Sequence, residues 1–106
     1  GGLYVESFTQ MQGSAAHFTN CIANYDGGGL MAKSFIQMQN SSAQFENCTA
    51  EYGGGARVYD VFSQVNASAT FRGCRADDEG GGLNALSFDQ DQGAVAEFAN
   101  CSAKNN

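Results

Sequence analysis

The residues of this chain that could do chemistry are four cysteines, one histidine and eleven carboxylates. The cysteines stand at 21, 48, 74 and 101, in steps of 27, 26 and 27, and no two form a C-x-x-C pair. Zinc sites draw their ligands in close pairs. His17, the lone histidine, precedes Cys21 on a neighbouring segment, so a metal centre has little to be built from. We expect buried free thiols at Cys21, Cys48, Cys74 and Cys101, behaving as small hydrophobes. Pairs such as Cys21–Cys48 are the alternative: stacked Cα atoms about 4.8 Å apart fall within disulfide range, although parallel Cβ vectors orient the sulfurs poorly. Metal binding ranks third.

Among the carboxylates, acid–base work needs two groups converging on one substrate. The candidates are Asp60, the run Asp77, Asp78 and Glu79, and the pair Asp89 and Asp91, two residues apart and therefore on one strand face. The run sits just before a glycine turn, where a solvated acidic loop is the ordinary outcome. No catalytic residue, cofactor ligand or metal ligand is assigned; bound calcium at the same acids ranks above an active site, although the glycine-aspartate signature of calcium β-rolls is absent.

Modification offers more. Asn-x-Ser/Thr sequons occur at Asn40, Asn47, Asn66 and Asn100. Asn47 and Asn100 belong to a repeated Asn-Cys pair at a bend, whereas Asn40 and Asn66 are expected at a turn tip in adjacent units. Those two are the glycosylation candidates if the chain is secreted.

The glutamines at 10/12, 37/39 and 90/92 form the most regular polar pattern, and the third unit is expected to break it with Ser63 and Val65. We read them as an outward amide ladder rather than an ice-binding array, which wants matched threonines. With a net charge of −6 and five basic residues, nucleic acid is not an expected partner. No apolar run approaches the roughly 20 residues that cross a bilayer, so direct membrane insertion is not expected.

Positioning these residues falls to a repeat. FTNCIANYDGGGL begins at Phe18 and returns as FENCTAEYGGGA from Phe45, FRGCRADDEGGGL from Phe71 and FANCSAKNN from Phe98. Four units follow, 1–27, 28–53, 54–80 and 81–106. With no odd, polar end repeat among them, they are expected to be a piece of a longer array. Fourteen glycines without proline would suggest disorder if scattered, but most recur at fixed places.

Within a unit the apolar positions alternate over short spans, which predicts strands at roughly 3–8, 14–19 and 21–24 in the first. The glycine triplets, the column Gly13/Asn40/Asn66/Gly93 and the column Asn20/Asn47/Gly73/Asn100 supply the bends. One unit cannot bury a hydrophobic face alone, so successive units must stack. The expected class is all-β, a right-handed parallel β-helix of four coils with about three strands each. Its inward ladders would be Leu3/Leu30/Ala56/Leu83, Val5/Ala32/Val58/Ala85, Phe8/Phe35/Val61/Phe88, Ala16/Ala43/Ala69/Ala96, Phe18/Phe45/Phe71/Phe98 and the cysteines.

The string F-x-N-C-x-A-x-x-x-G-G-G-L resembles the F-x-x-N and G-G-A-I repeats of chlamydial polymorphic membrane proteins and related autotransporter passengers, within the pectin-lyase-like β-helix group. The resemblance implies an elongated protein displayed on a cell surface or secreted, with adhesive or scaffolding work. Its partners would be other coils of the parent chain, neighbouring protein subunits or carbohydrate. A polysaccharide-active enzyme whose catalytic coil lies elsewhere is the competing expectation.

Overall fold

The computed structural model describes residues 2–103, and every described element is a β-strand or a turn. The first coil contributes β1 (Leu3–Gln10) and β2 (Ala15–Thr19); the second β3 (Leu30–Gln37), β4 (Ser42–Glu46) and β5 (Thr49–Tyr52). The third contributes β6 (Ala56–Val65), β7 (Ser68–Arg72) and β8 (Arg75–Glu79), and the fourth β9 (Leu83–Asp91), β10 (Val95–Ala99) and β11 (Ser102–Ala103). They assemble into three parallel sheets, β1-β3-β6-β9, β2-β4-β7-β10 and β5-β8-β11, each strand lying on its equivalent in the coil before. The protein is thus a parallel β-solenoid of about four turns. In the first coil the third strand shrinks to single bridges, Ile22 to Thr49 and Asp26 to Tyr52.

Tight bends between strands set the cross-section. Asn20, Asn47, Gly73 and Asn100 all adopt left-handed backbone, with φ between 54° and 63°. Gly13, Asn40, Asn66 and Gly93 do the same at the next corner. At the third corner, the middle glycine of each triplet is needed for space. A Cβ on Gly54 would strike the carbonyls of Gly81 and Arg75, because backbones from two coils meet there.

Like residues stack in the interior. Phe18, Phe45, Phe71 and Phe98 form one column with ring centroids 4.7 to 4.8 Å apart and planes within 6°. A second column runs Phe8, Phe35, Phe62, Phe88 at 4.4 to 5.1 Å, touching the first edge-on through Phe8–Phe18 and Phe35–Phe45. Leu30, Ala32, Val58, Ala43, Ala69, Cys48 and Cys74 fill the shaft between them, fully buried.

The third member of that second column is Phe62, not Val61. Val58 pairs with Ala32 but Val61 pairs with Ser34, so the third coil carries one extra residue at Tyr59-Asp60. A bulge absorbs it, and the larger ring keeps its place in the stack. The same bulge overturns the expected break in the glutamine ladder: Gln64 pairs with Gln37 and Gln90, while Ser63 and Val65 fall in the flanking columns.

Candidate functional site

One glutamine of each pair turns into the solenoid, contrary to the outward placement expected from its polarity, while Gln12, Gln39 and Gln92 are exposed as expected. Gln10, Gln37 and Gln64 are buried, and inward polar groups must be bonded. Each amide serves the next: Gln37 Nε2 donates to Gln10 Oε1 at 2.7 Å, Gln64 Nε2 to Gln37 Oε1 at 2.7 Å, and Gln90 Nε2 to Gln64 Oε1 at 2.9 Å. Spare amide hydrogens go to the carbonyls of Ser42, Ser68 and Val95, tying the first sheet to the second. No described buried side-chain oxygen or nitrogen lacks a partner. The ladder is structural.

The cysteines form a column of free thiols at the bend after the second sheet. Cys48, Cys74 and Cys101 donate to the carbonyls of Phe18, Phe45 and Phe71 in the preceding coil, at 3.2 to 3.4 Å. The shared thiol contact with Cys48, and burial after it, push the Cys74 thiol well above its ordinary value; burial raises Cys21 as well. The same contact with Cys74 lowers the Cys48 thiol to about 6, but both sulfurs are buried, so the column lacks the exposed setting that makes a nucleophile.

The carboxylates do not converge. Asp60 is exposed in the bulge of the first sheet, and Asp89 and Asp91 are exposed on the outer side of β9. Asp77, Asp78 and Glu79 lie in β8, on the third sheet, rather than in the acidic loop expected from the following glycines. Asp78 holds the Tyr52 phenol, which that bond pushes above its ordinary pKa. No group of three or more His, Cys, Asp or Glu among the described residues could hold a metal ion.

Asn40 and Asn66 are exposed, left-handed at their corner and share a shallow concavity of about 290 Å3 with Gly93 and Val95. Asn47 and Asn100 are also exposed and left-handed.

A constellation that the repeat did not announce sits where the repeat breaks. Arg57, ahead of the bulge, pairs with Asp26 from little more than one turn earlier, Nη1 to Oδ1 3.0 Å, with both side chains mostly shielded. Tyr59, in the bulge, donates its hydroxyl to Asp26 Oδ2 at 2.6 Å. The Arg57 guanidinium lies 4.9 Å from the Tyr59 ring centroid and 5.1 Å from that of Tyr52. The bond to Asp26, with some burial, raises the Tyr59 phenol above its ordinary pKa. Beside this cluster runs an open groove of about 450 Å3, lined by Tyr4, Glu6, Met31, Lys33 and Tyr59 over the backbone of Val5 and Ala32. The only available signal was the extra residue in the third unit, which fixed steps of 26 and 27 concealed.

Compared with family models, with curated proteins and with solved structures, the chain has no match.

Proposed function

We propose that the chain is a non-enzymatic structural or adhesive segment of a right-handed, pectin-lyase-like parallel β-helix, belonging to a larger extracellular, cell-surface or filament-forming protein. The observation that carries this reading is the contrast between inside and outside. Interior columns of Phe, Gln and Cys repeat coil after coil, while the outward carboxylates, Asp60, Asp89 and Asp91 on the first sheet and Asp77, Asp78 and Glu79 on the third, recur in no column. A shaft built this way serves as a spacer or display surface. The autotransporter-like repeat phrase favours the same role.

Particles coated with the chain, tested for retention on cell monolayers under flow, examine the adhesive role; retention no greater than that of albumin-coated particles would sink it. The competing reading is a polysaccharide-active segment. Depolymerisation of polygalacturonate that Asp89→Asn or Asp91→Asn abolishes would establish that one instead. Lateral packing as a scaffold subunit would appear as reversible association in sedimentation. Secretion from a eukaryotic host followed by glycopeptide mass spectrometry decides whether Asn40 and Asn66 carry sugar.

A further inference from the structure

We propose that the groove between Tyr4 and Tyr59 binds a neutral pyranose oligosaccharide, one sugar face stacked on the tyrosine rings and its hydroxyls bonded by Glu6 and Lys33. The proposal rests on the adhesive reading and names the contact that would perform it.

Four observations point there. First, the groove holds about 450 Å3, within the range of about 300–1,000 Å3 typical of small-molecule sites. It continues past Tyr4 and Met31 into a neighbouring depression of about 280 Å3, so more than one ring fits along it. Second, its walls combine apolar, flat groups with polar ones. Tyr4 is 76 % exposed and Tyr59 43 %, which leaves ring surface for the C–H faces of a sugar, and tyrosine offers wide contact area at low entropic cost.

Third, Tyr59 is already held. Its hydroxyl is bonded to Asp26 and one ring face is covered by Arg57, so little side-chain freedom is left to lose on binding. An exposed aromatic fixed by a mostly shielded ion pair is more than the solenoid interior asks for. Bulges commonly re-aim a side chain beside a site, and Tyr59 stands in one. Fourth, the charges cancel. Arg57 is matched by Asp26, and the lining of the groove holds one cation, Lys33, and one anion, Glu6. With the chain at −6 as a whole, an uncharged ligand is favoured over an acidic one.

The test is a titration of the 15N-labelled chain with cellohexaose, and in parallel with a galacturonate hexamer, followed by amide shifts. The expected result is saturable movement at Tyr4, Met31, Lys33 and Tyr59 with cellohexaose and weaker binding of the acidic hexamer. Tyr4→Ala and Tyr59→Ala should each weaken binding by about tenfold, and Tyr59→Phe, which keeps the ring but loses Asp26, by less. Met11→Ala, outside the groove, should bind as the parent does. Unchanged amide spectra away from the substitution show that each variant is folded, and Tyr59→Phe stands in if Tyr59→Ala is not. No saturable movement, movement confined to another face, tighter binding of the galacturonate hexamer, or full affinity in both tyrosine variants overturns the site. Retention of coated particles without cellohexaose binding removes this site and leaves the adhesive reading standing; absence of retention removes the adhesive reading itself.

Discussion

Replacing Gln37 with leucine tests whether the buried amide ladder stabilises the solenoid. Gln37 is fully buried and makes three bonds: Nε2 to Gln10 Oε1 at 2.7 Å and to the Ser68 carbonyl at 2.9 Å, and Oε1 from Gln64 Nε2 at 2.7 Å. Leucine fits the space and makes none of them. Gln10 Oε1 and the Ser68 carbonyl each lose a donor, and one hydrogen of the Gln64 amide loses its acceptor while the other keeps Val95. A buried polar group left without its partner costs about 1–3 kcal/mol. The added apolar burial returns part of that, on the order of 1.5 kcal/mol. A net loss of about 2–4 kcal/mol is expected. Gln39→Leu, two residues away and exposed, should change stability by less than about 0.5 kcal/mol. Urea unfolding followed by circular dichroism separates the two, because an m-value of about 1–3 kcal/mol/M turns the difference into a midpoint shift of roughly 1 M or more. If Gln37→Leu proves as stable as Gln39→Leu, the ladder is filler and the argument from unsatisfied amides fails.

Phe45→Ala removes a ring stacked on both sides at 4.8 and 4.7 Å and should cost about 3–5 kcal/mol by urea unfolding, whereas Phe18→Ala, only half-buried, should cost less. Gly54→Ala drives a methyl into the carbonyls of Gly81 and Arg75, so its melting temperature should fall further than that of Gly13→Ala, where nothing lies within 4 Å of the added carbon. Thiol-reagent kinetics should show Cys48 and Cys74 reacting only on unfolding, and Cys21 and Cys101 sooner. Because the contact with Cys48 and burial raise the Cys74 pKa in the folded state, the proton stays on when the unfolded chain begins to lose it near pH 8.5. That contribution is full below this pH and declines above it. Between about pH 8.5 and about pH 10 the urea midpoint should therefore fall less steeply in Cys74→Ala than in the parent.

The stacking of units was legible because Phe18, Phe45, Phe71 and Phe98, the cysteines and the glycine triplets recur together, and only in-register coils use such a pattern. The left-handed corners were legible for the same reason, Asn and Gly sharing each column. The inward glutamines were not legible: a polar side chain in a strand reads as solvent-facing until a partner at the same level can satisfy it, and that partner is 27 or 26 residues away. The pairing of Phe62 was missed for a different reason. A fixed step matched Val61 to Phe35, since the extra residue at Tyr59-Asp60 is offset by a missing one between Gln64 and Asn66 and leaves the cysteine step at 26. The groove was hidden with it, since Asp26, Arg57 and Tyr59 belong to no shared column and only the coil brings them together. The Asp77–Glu79 run misled because three acids before glycine suit a loop, yet Ala76 stacked on Ala50 carries the strand through them.

That offset also says where this fold tolerates change. Slipping a strand by one residue turns every inward side chain outward. Without the bulge, Val61 and Ser63 would enter the columns, and the Phe62 ring and Gln64 amide would leave them. The stacks at 4.4 and 4.6 Å and the Gln64 bonds outweigh one unpaired residue, so the chain bulges instead. Two single-residue deletions in β6 should therefore behave differently. Removing Tyr59 leaves Asp60 opposite Lys33 and restores the spacing of the neighbouring coils with every interior column intact. Its cost is the Tyr59–Asp26 hydrogen bond and the Arg57 contact with the Tyr59 ring, about 1 kcal/mol. Removing Ser63 brings Val65 into the amide ladder between Gln37 and Gln90 and exposes Gln64, which should cost about 3 kcal/mol or more. Equal urea midpoints for the two deletions would mean that register is not held by the interior columns. Unequal ones in the stated order show that the interior columns hold the register and that the bulge is where the solenoid can gain or lose a residue without disturbing its shaft.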